Sequence, residues 1–272
     1  MKLTIQIVNF NSRHYLPECL FSIRENLPAG MEAEIIVINN DELPLGGIGR
    51  QIGSTPNLDF PISVLEINRN IGFGSAHNAG FARSGGEYVL FLNPDTKILP
   101  GALRELLDLF AGDQKIGLAG PLLVDSAGRI QPDCFGSHKT PLATVAGKIF
   151  SRKRGDPGQD GVFETDWVSG GALLARREVF EKTGGFDERY FMYFEDVDLC
   201  LRAKKFGYKV AVNPAARIFH ESGQSFANER EKKKYYYASQ DHYMRKHFGS
   251  VAAWVMKIVR LPYYMKNVYL NR

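Results

Sequence analysis

With 272 residues, 44% hydrophobic and 24% charged, the chain has an ordinary globular balance, which excludes a disordered or fibrous protein and leaves room for one large α/β domain or two small ones. The net charge of +4 is mild and no nucleic-acid partner is expected, yet Lys232, Lys233, Lys234, Arg245, Lys246, Lys257, Arg260 and Lys266 crowd the last fifth. Cys19, Cys134 and Cys200 have no CxxC spacing and an odd count, which supports neither a zinc site nor a disulfide framework and fits a reducing cytoplasm.

The N-terminus enters a strand at Leu3 without a signal-peptide core, and no later stretch is long and apolar enough for a clear membrane span. Leu3–Asn9 and Glu34–Asn39 are continuous apolar runs of the buried-strand type, with a helical pattern between them from about His14 to Leu27. A Gly-rich irregular stretch follows. Then come a third strand, Ser63–Asn68, a helix from about Phe73 to Arg83, and a fourth strand, Glu87–Asn93. Pro100 opens the next helix in its first turn, where a missing N–H costs nothing, and that helix extends to about Phe110. Strands alternating with helices at this spacing predict a mainly parallel sheet covered on both faces.

The second half is less regular. Ile116–Asp125 reads as a strand entering a hairpin at Ser126-Ala127-Gly128, and the polar residues 151–161 read as a mobile loop. Trp167–Phe186 reads as a strand and a short helix, Arg177–Thr183, stopped by Gly184-Gly185. A helix is expected from Glu195 to about Phe206, then a pair of strands at Tyr208–Asn213 and Ala216–Ser222. A long basic, Tyr-rich helix follows from Glu229 to Phe248.

Ligands of parallel sheets bind at the carboxyl ends of the strands. Those ends are Asn9–Asn11, Asn39–Asp41, Asn68–Asn70 and Asn93–Asp95, rich in short amides and acids. Asp95 follows a buried strand and a Pro-forced turn, where one carboxylate can share Mg²⁺ or Mn²⁺ with substrate phosphates; the plainer reading is a turn cap. Arg69–Gly80 (RNIGFGSAHNAG) is a poor dinucleotide fingerprint, because His77 stands where a third glycine is needed. Its glycines Gly72 and Gly74 instead allow a nucleotide to approach, with Asn78 free to hydrogen-bond. His220 ends a strand ahead of the polar turn Glu221–Ser225, which can hold a diphosphate, or the histidine is structural. In Phe191–Arg202 (FMYFEDVDLCLR) an aromatic cluster runs into Glu195, Asp196 and Asp198 at a helix start, whose dipole favours ionised acids. A water-excluding aromatic wall beside such acids suits a general base; the bland alternative is an acidic helix start over core aromatics.

Eight segments in order (IVNFN, VINND, NIGFGSAHNAG, FLNPDT, VSGGALLARREVFEKTGGFDE, FMYFEDVDLCLR, FHESGQS and YYYASQDHYMRKHFG) resemble the family 2 glycosyltransferases of GT-A fold, most closely the bacterial rhamnosyltransferase-like members, over almost the whole chain. The resemblance implies an α/β GT-A catalytic domain over residues 1–227, a Rossmann-like, mainly parallel sheet flanked by helices. Its nucleotide-binding half would be 1–115 and its acceptor half 116–227, with a helical C-terminal extension at 228–272. It implies a nucleotide site formed by Asn9, Asn11, Asn39, Asp41 and Asn70, joined by Gly72, Asn78 and Asn93. Asp95 would close a DxD-type motif for Mg²⁺ or Mn²⁺, with His220 facing the metal or diphosphate. Asp196 would be the base with Glu195 beside it, and Gly170, Gly171 and Tyr193 would meet the acceptor. Two departures stand out. The second strand ends Asn39-Asn40 where Asp-Asn is usual, and the metal motif is reduced to Asn93-Pro94-Asp95, so metal affinity without nucleotide should be weak.

The reaction implied is inverting transfer of a sugar, best rhamnose, from a dTDP- or UDP-linked donor to a saccharide or lipid-linked acceptor in surface polysaccharide synthesis. A sugar-phosphate nucleotidyltransferase would need a glycine-rich basic loop after the first strand, where this chain has NFNSRH. A non-catalytic carbohydrate-binding homologue would show a degraded acid motif, whereas Glu195, Asp196 and Asp198 are intact. Val251–Leu270 mixes Trp254, Tyr263, Tyr264 and Tyr269 with Lys257, Arg260 and Lys266 and is broken at Pro262. It reads as a segment lying in the membrane interface on anionic lipid, against a helix packed on the catalytic domain or a dimer partner. The expected location is the cytoplasm, peripheral on the inner face of the plasma membrane.

Overall fold

The computed structural model describes residues 2–46, 60–144, 161–221, 229–265 and 268. The strands β1 (Lys2–Asn9), β2 (Glu32–Asn39) and β3 (Ile62–Glu66) run parallel, with Asn9 opposite Asn39 at their carboxyl ends. Leu3, Ile5 and Ile7 are fully buried, and so are Thr4 and Gln6 between them, which is why β1 shows no polar–apolar alternation. Helix α1 (Leu16–Asn26) buries Leu16, Cys19, Leu20 and Ile23, the three-and-four spacing of one helix face. Helix α2 (Phe73–Phe81) packs against β1 and β2. Its His77 is the misfit of the glycine pattern because it fills the core. It lies between Phe73, Phe91 and Phe186, bonds Gln6, and is kept neutral by burial, which drops its pKa to about 3.

After β4 (Tyr88–Leu92) come the short strand β5 (Thr96–Ile98), helix α3 (Ala102–Gly112) and strand β6 (Ile116–Val124). A two-stranded ribbon of β7 (Phe135–Gly136) and β9 (Trp167–Val168) sits apart from the main sheet. Strand β8 (Phe163–Glu164) pairs with β11 (Lys209–His220), and β10 (Ala172–Arg176) enters antiparallel between β4 and β6. Among the described residues the main sheet is ordered β3-β2-β1-β4-β10-β6-β11-β5, with β8 beside β11. It is mixed rather than simply parallel. Helices α4 (Arg177–Thr183) and α5 (Glu195–Lys205) flank the second half.

One expectation needs correction. The pair of strands around Pro214 is one continuous strand, β11. Its register against β6 shifts between Asn213 and Arg217, so a bulge absorbs the donor that Pro214 lacks. The helix expected from Glu229 to Phe248 ends there, because Gly249 is non-helical (φ 86°, ψ 169°), and the helical extension resumes beyond it; the two arms together are α6 (Glu229–Met265). Beyond that break a second arm folds back on the first: buried Arg260 donates to the Tyr237 carbonyl, Gln240 and Asp241. Pro262 does not break the arm, because it and Ile258, whose carbonyl it frees, are both exposed and open to solvent. Loop residues 151–160, Ser222–Ser225, the division between 227 and 228, Lys266 and Tyr269 lie outside the described residues.

Candidate active site

A cavity of about 560 Å³ opens where β1, β2 and β4 end and β10 begins. One side is built around His220, at the end of β11. Its Nδ1 lies 2.8 Å from Gln131 Oε1, while Gln131 Nε2 donates back to the His220 carbonyl at 2.7 Å. An amide oxygen only accepts, so the proton sits on Nδ1. Nε2 faces Asn93 Nδ2 at 3.3 Å and Asp95 Oδ1 at 3.4 Å. A histidine fixed this way is prepared as a metal ligand, so a divalent ion would fit against Asp95 and His220. Among the described residues no three acidic, histidine or cysteine side chains form a full cage, so further ligands would have to come from phosphate or water.

The other side is the start of α5. Asp196 Oδ2 accepts from the Gly170 N–H at 2.9 Å and Oδ1 from the Val197 N–H at 2.8 Å. The neighbouring Gly171 carbonyl accepts from the Asn93 N–H at 3.0 Å, so one two-residue turn touches both sides. Side chains there would crowd it: a Cβ on Gly170 would stand 3.1 Å from the Phe73 ring, and one on Gly171 3.2 Å from the Leu123 side chain.

Burial pushes the Glu195 carboxyl well above the usual carboxylate range, and the adjacent Asp196 charge pushes the same way. Glu195 Oε2 is buried with no partner. Burial also raises Asp196, but the N–H groups of Gly170 and Val197 and the Lys139 ammonium oppose it. Both carboxyls of this coupled pair are thus raised, Glu195 without a partner for Oε2 and Asp196 with N–H groups that oppose the rise. The expectation that the helix dipole keeps all three acids ionised fails at Glu195. A dipole supplies roughly 0.3–1 kcal/mol, whereas burying a charge costs several. Asp198 is the exception: burial would raise it, but the His247 hydrogen bond and the charges of Arg202 and Lys246 outweigh that and hold it at about 2. It is a structural acid, accepting from Arg202, Lys246 and His247 at 2.7 Å each.

The aromatic turn ahead of these acids is strained, with Tyr193 (φ 69°) and Phe194 (φ 68°) both left-handed. Helix α6 holds it: Phe191 stacks on Tyr235, Phe194 packs on Tyr236 and Tyr243, and Ser239 donates to the Met192 carbonyl at 2.7 Å.

The cavity wall includes Asn70, Gly72, Asn93, Asp95, Gly170, Gly171, Tyr193, Glu195, Asp196 and His220. Five sequence-selected residues lie elsewhere. Asn9 and Asn39 are fully buried, bonded to each other at 2.7 Å, with Asn39 also donating to Glu66. Asn11 and Asp41 bond each other at 3.1 Å on the turns after β1 and β2, outside the wall. Asn78 is not free for a nucleotide: it bonds both the N–H and the carbonyl of Phe186 at 2.9 Å, closing the Gly184-Gly185 turn. Gly72 (φ 92°) and Gly74 make room for the protein itself, since added Cβ atoms would stand 2.6 Å from the Phe191 carbonyl and 2.9 Å from Phe186.

Three residues escaped the sequence reading. Asn40, not Asn39, reaches the wall, bonded to Asn70 at 3.0 Å; its place in a strand-end amide pair was the available signal. Lys139 also lines the wall, its ammonium 4.6 Å from the Trp167 ring centre. Nothing local marks Lys139, or Gln131, which is 89 residues from His220.

A buried acid pair faces an acid–imidazole pair across one cavity at the strand ends of a mixed α/β sheet, an arrangement that could serve group transfer. The same fold occurs in GalNAc-T7 solved with UDP, GalNAc and Mn²⁺ (TM-score 0.64, 16% identity, 100% of this chain and 57% of that one). It also occurs in a Pyrobaculum calidifontis mannosyltransferase solved with GDP-Man and Mn²⁺ (TM-score 0.63, 14% identity, 96% and 75%). The chain belongs to the family 2 glycosyltransferases: the Glycosyl transferase family group 2 model matches residues 88–269, more than half its length, and the Glycosyl transferase family 2 model matches residues 4–132. It is 32% identical over 191 residues to the N-acetylglucosaminyl-diphospho-decaprenol L-rhamnosyltransferase of Mycobacterium tuberculosis, a match spanning 60% of each chain. It is 27% identical over 223 residues to rhamnosyltransferase WbbL of Escherichia coli K12, spanning 79% of this chain and 82% of that one.

Proposed function

We propose that the protein transfers rhamnose, with inversion, from a dTDP-linked donor to a saccharide on a lipid diphosphate, in surface polysaccharide synthesis at the cytoplasmic face of a membrane. The observation carrying this reading is the Gly170-Gly171 turn, which bonds Asp196 on one side and Asn93, beside Asp95 and His220, on the other. Asp196, raised by burial against the pull of two N–H groups, takes the proton of the acceptor hydroxyl as it attacks the anomeric carbon. A divalent metal on Asp95 and His220 would neutralise charge on the departing diphosphate. The imidazole donor favours Mn²⁺ over Mg²⁺, which prefers oxygen ligands. The names of the mycobacterial and E. coli relatives support the sugar and the lipid-diphosphate acceptor, and a UDP-linked donor is the second choice for the nucleotide.

Asp196→Asn should lower transfer by about 10³-fold or more while leaving the dTDP-induced thermal shift in Mn²⁺ intact. Near-normal turnover in that variant would remove Asp196 from the role of base.

A further inference from the structure

The second arm of α6 turns an apolar stripe outward. Val251, Trp254, Val255, Ile258 and Val259 recur at the three-and-four spacing of one helix face, and all are exposed, Val251 by 77% and Trp254 by 65%. The opposite face, Ala253, Met256 and Arg260, is the buried one. Helical geometry places Lys257 on one flank of the stripe and Tyr263 on the other, both exposed. From Ser250 to Met265 there is no acidic residue.

The geometry points to this stripe as a membrane-docking surface that lies flat in the headgroup region of an anionic bilayer. The composition fits that occupant: an aliphatic centre, Trp and Tyr, which favour the water–lipid boundary, and one exposed cation, Lys257, 3.8 Å from Asp241, with no carboxylate on the arm itself. A second copy fits less well. The arm is roughly 24 Å long and one helix, about 10 Å, wide, well short of the ~800 Å² per partner that stable interfaces bury. Among the described residues no helix is long and apolar enough to cross a membrane. Pro262 limits the depth, because the Ile258 carbonyl it frees lies on the exposed face and must stay hydrated. The surface is also tied to the site: Arg260 bonds the Tyr237 carbonyl, one residue from Tyr236 in the cavity wall. Part of the basic cluster expected to face lipid is used internally, since Arg260 is buried on Asp241. The inference deepens the proposed function, whose lipid-linked acceptor has to be met at such a surface.

The test is co-sedimentation of the full-length protein with phosphatidylcholine vesicles with and without roughly a quarter phosphatidylglycerol, at about 0.1 M and about 0.5 M NaCl. Binding is expected to the anionic vesicles, to weaken with salt, and to fall about tenfold or more in Val255→Asp/Ile258→Asp. Trp254 fluorescence should shift to the blue on binding and be quenched by lipids brominated near the headgroup. Transfer to a short-chain, water-soluble acceptor should be unchanged in the variant. Failure of wild-type protein to bind, or binding indifferent to the double substitution, overturns the assignment, as does a wild-type dimer that the substitutions make monomeric. Loss of rhamnosyl transfer to the soluble acceptor in wild-type protein that still binds vesicles would instead overturn the proposed reaction.

Discussion

Asp198→Asn tests whether the charge cluster between α5 and α6 holds the second half of the protein together. Asp198 is fully buried and accepts from Arg202, Lys246 and His247 at 2.7 Å each, with the Tyr190 hydroxyl at 3.3 Å. The fall of its pKa from 3.8 to about 2 corresponds to about 2–3 kcal/mol of stability at neutral pH. Removing one member of a buried ion pair costs ~3–5 kcal/mol, because the remaining charges lose their partner. Arg202 is already short of partners, its Nη2 being buried and unbonded. A loss of about 3 kcal/mol is therefore expected in urea unfolding at pH 7. The exposed pair Arg104–Asp108, at 3.8 Å, supplies the control, and Asp108→Asn should change stability by less than about 0.5 kcal/mol. The pH dependence has a definite sign. The folded-state pKa is depressed, so the contribution is complete above about pH 4 and is lost as pH falls toward about 2. The difference between wild type and Asp198→Asn should shrink over that window. A neutral-pH loss below about 1 kcal/mol would show that the cluster does not anchor α6.

Gly72→Ala should destabilise the protein by roughly 1–3 kcal/mol and raise the KM for donor, because a Cβ at φ 92° would press on the Phe191 carbonyl; an unchanged melting temperature would refute the close packing. Gln131→Leu should weaken activation by Mn²⁺ about 10–100-fold by releasing His220, read from the metal dependence of both transfer and nucleotide-induced thermal shift. All three cysteines are buried, and burial pushes Cys19 and Cys200 up to about 12, so a thiol reagent at pH 8 should label none of them until the protein unfolds. Rapid labelling of native protein would contradict this packing.

The first half of the fold was readable because apolar runs and turn residues alternate at βα spacing, and β1, β2 and β4 lie within about two residues of their expected ends. The same property hid the detail of the site. A strand buried on both faces has no alternation, so nothing in EIIVIN says whether Asn39 or Asn40 turns toward the cavity. Asp95, Asp196 and His220 could be picked as polar groups ending apolar segments, and the structure brings them into one cavity. Gln131 and Lys139 could not, because their relevance lies in contacts made across the fold. In the second arm of α6 the helix runs through Pro262, whose cost depends on whether the carbonyl it frees meets solvent.

The reversed strand β10 has an electrostatic consequence. Where parallel strands finish, the last exposed backbone groups are mostly carbonyl oxygens, the negative end of the peptide dipole. A strand running the other way begins at that edge and offers amide hydrogens instead. The N–H of Gly170, two residues ahead of β10, is such a donor, and it lies on the Asp196 carboxylate. One change of strand direction thus sets a positive pole among negative ones, at the point where a buried acid has to carry charge.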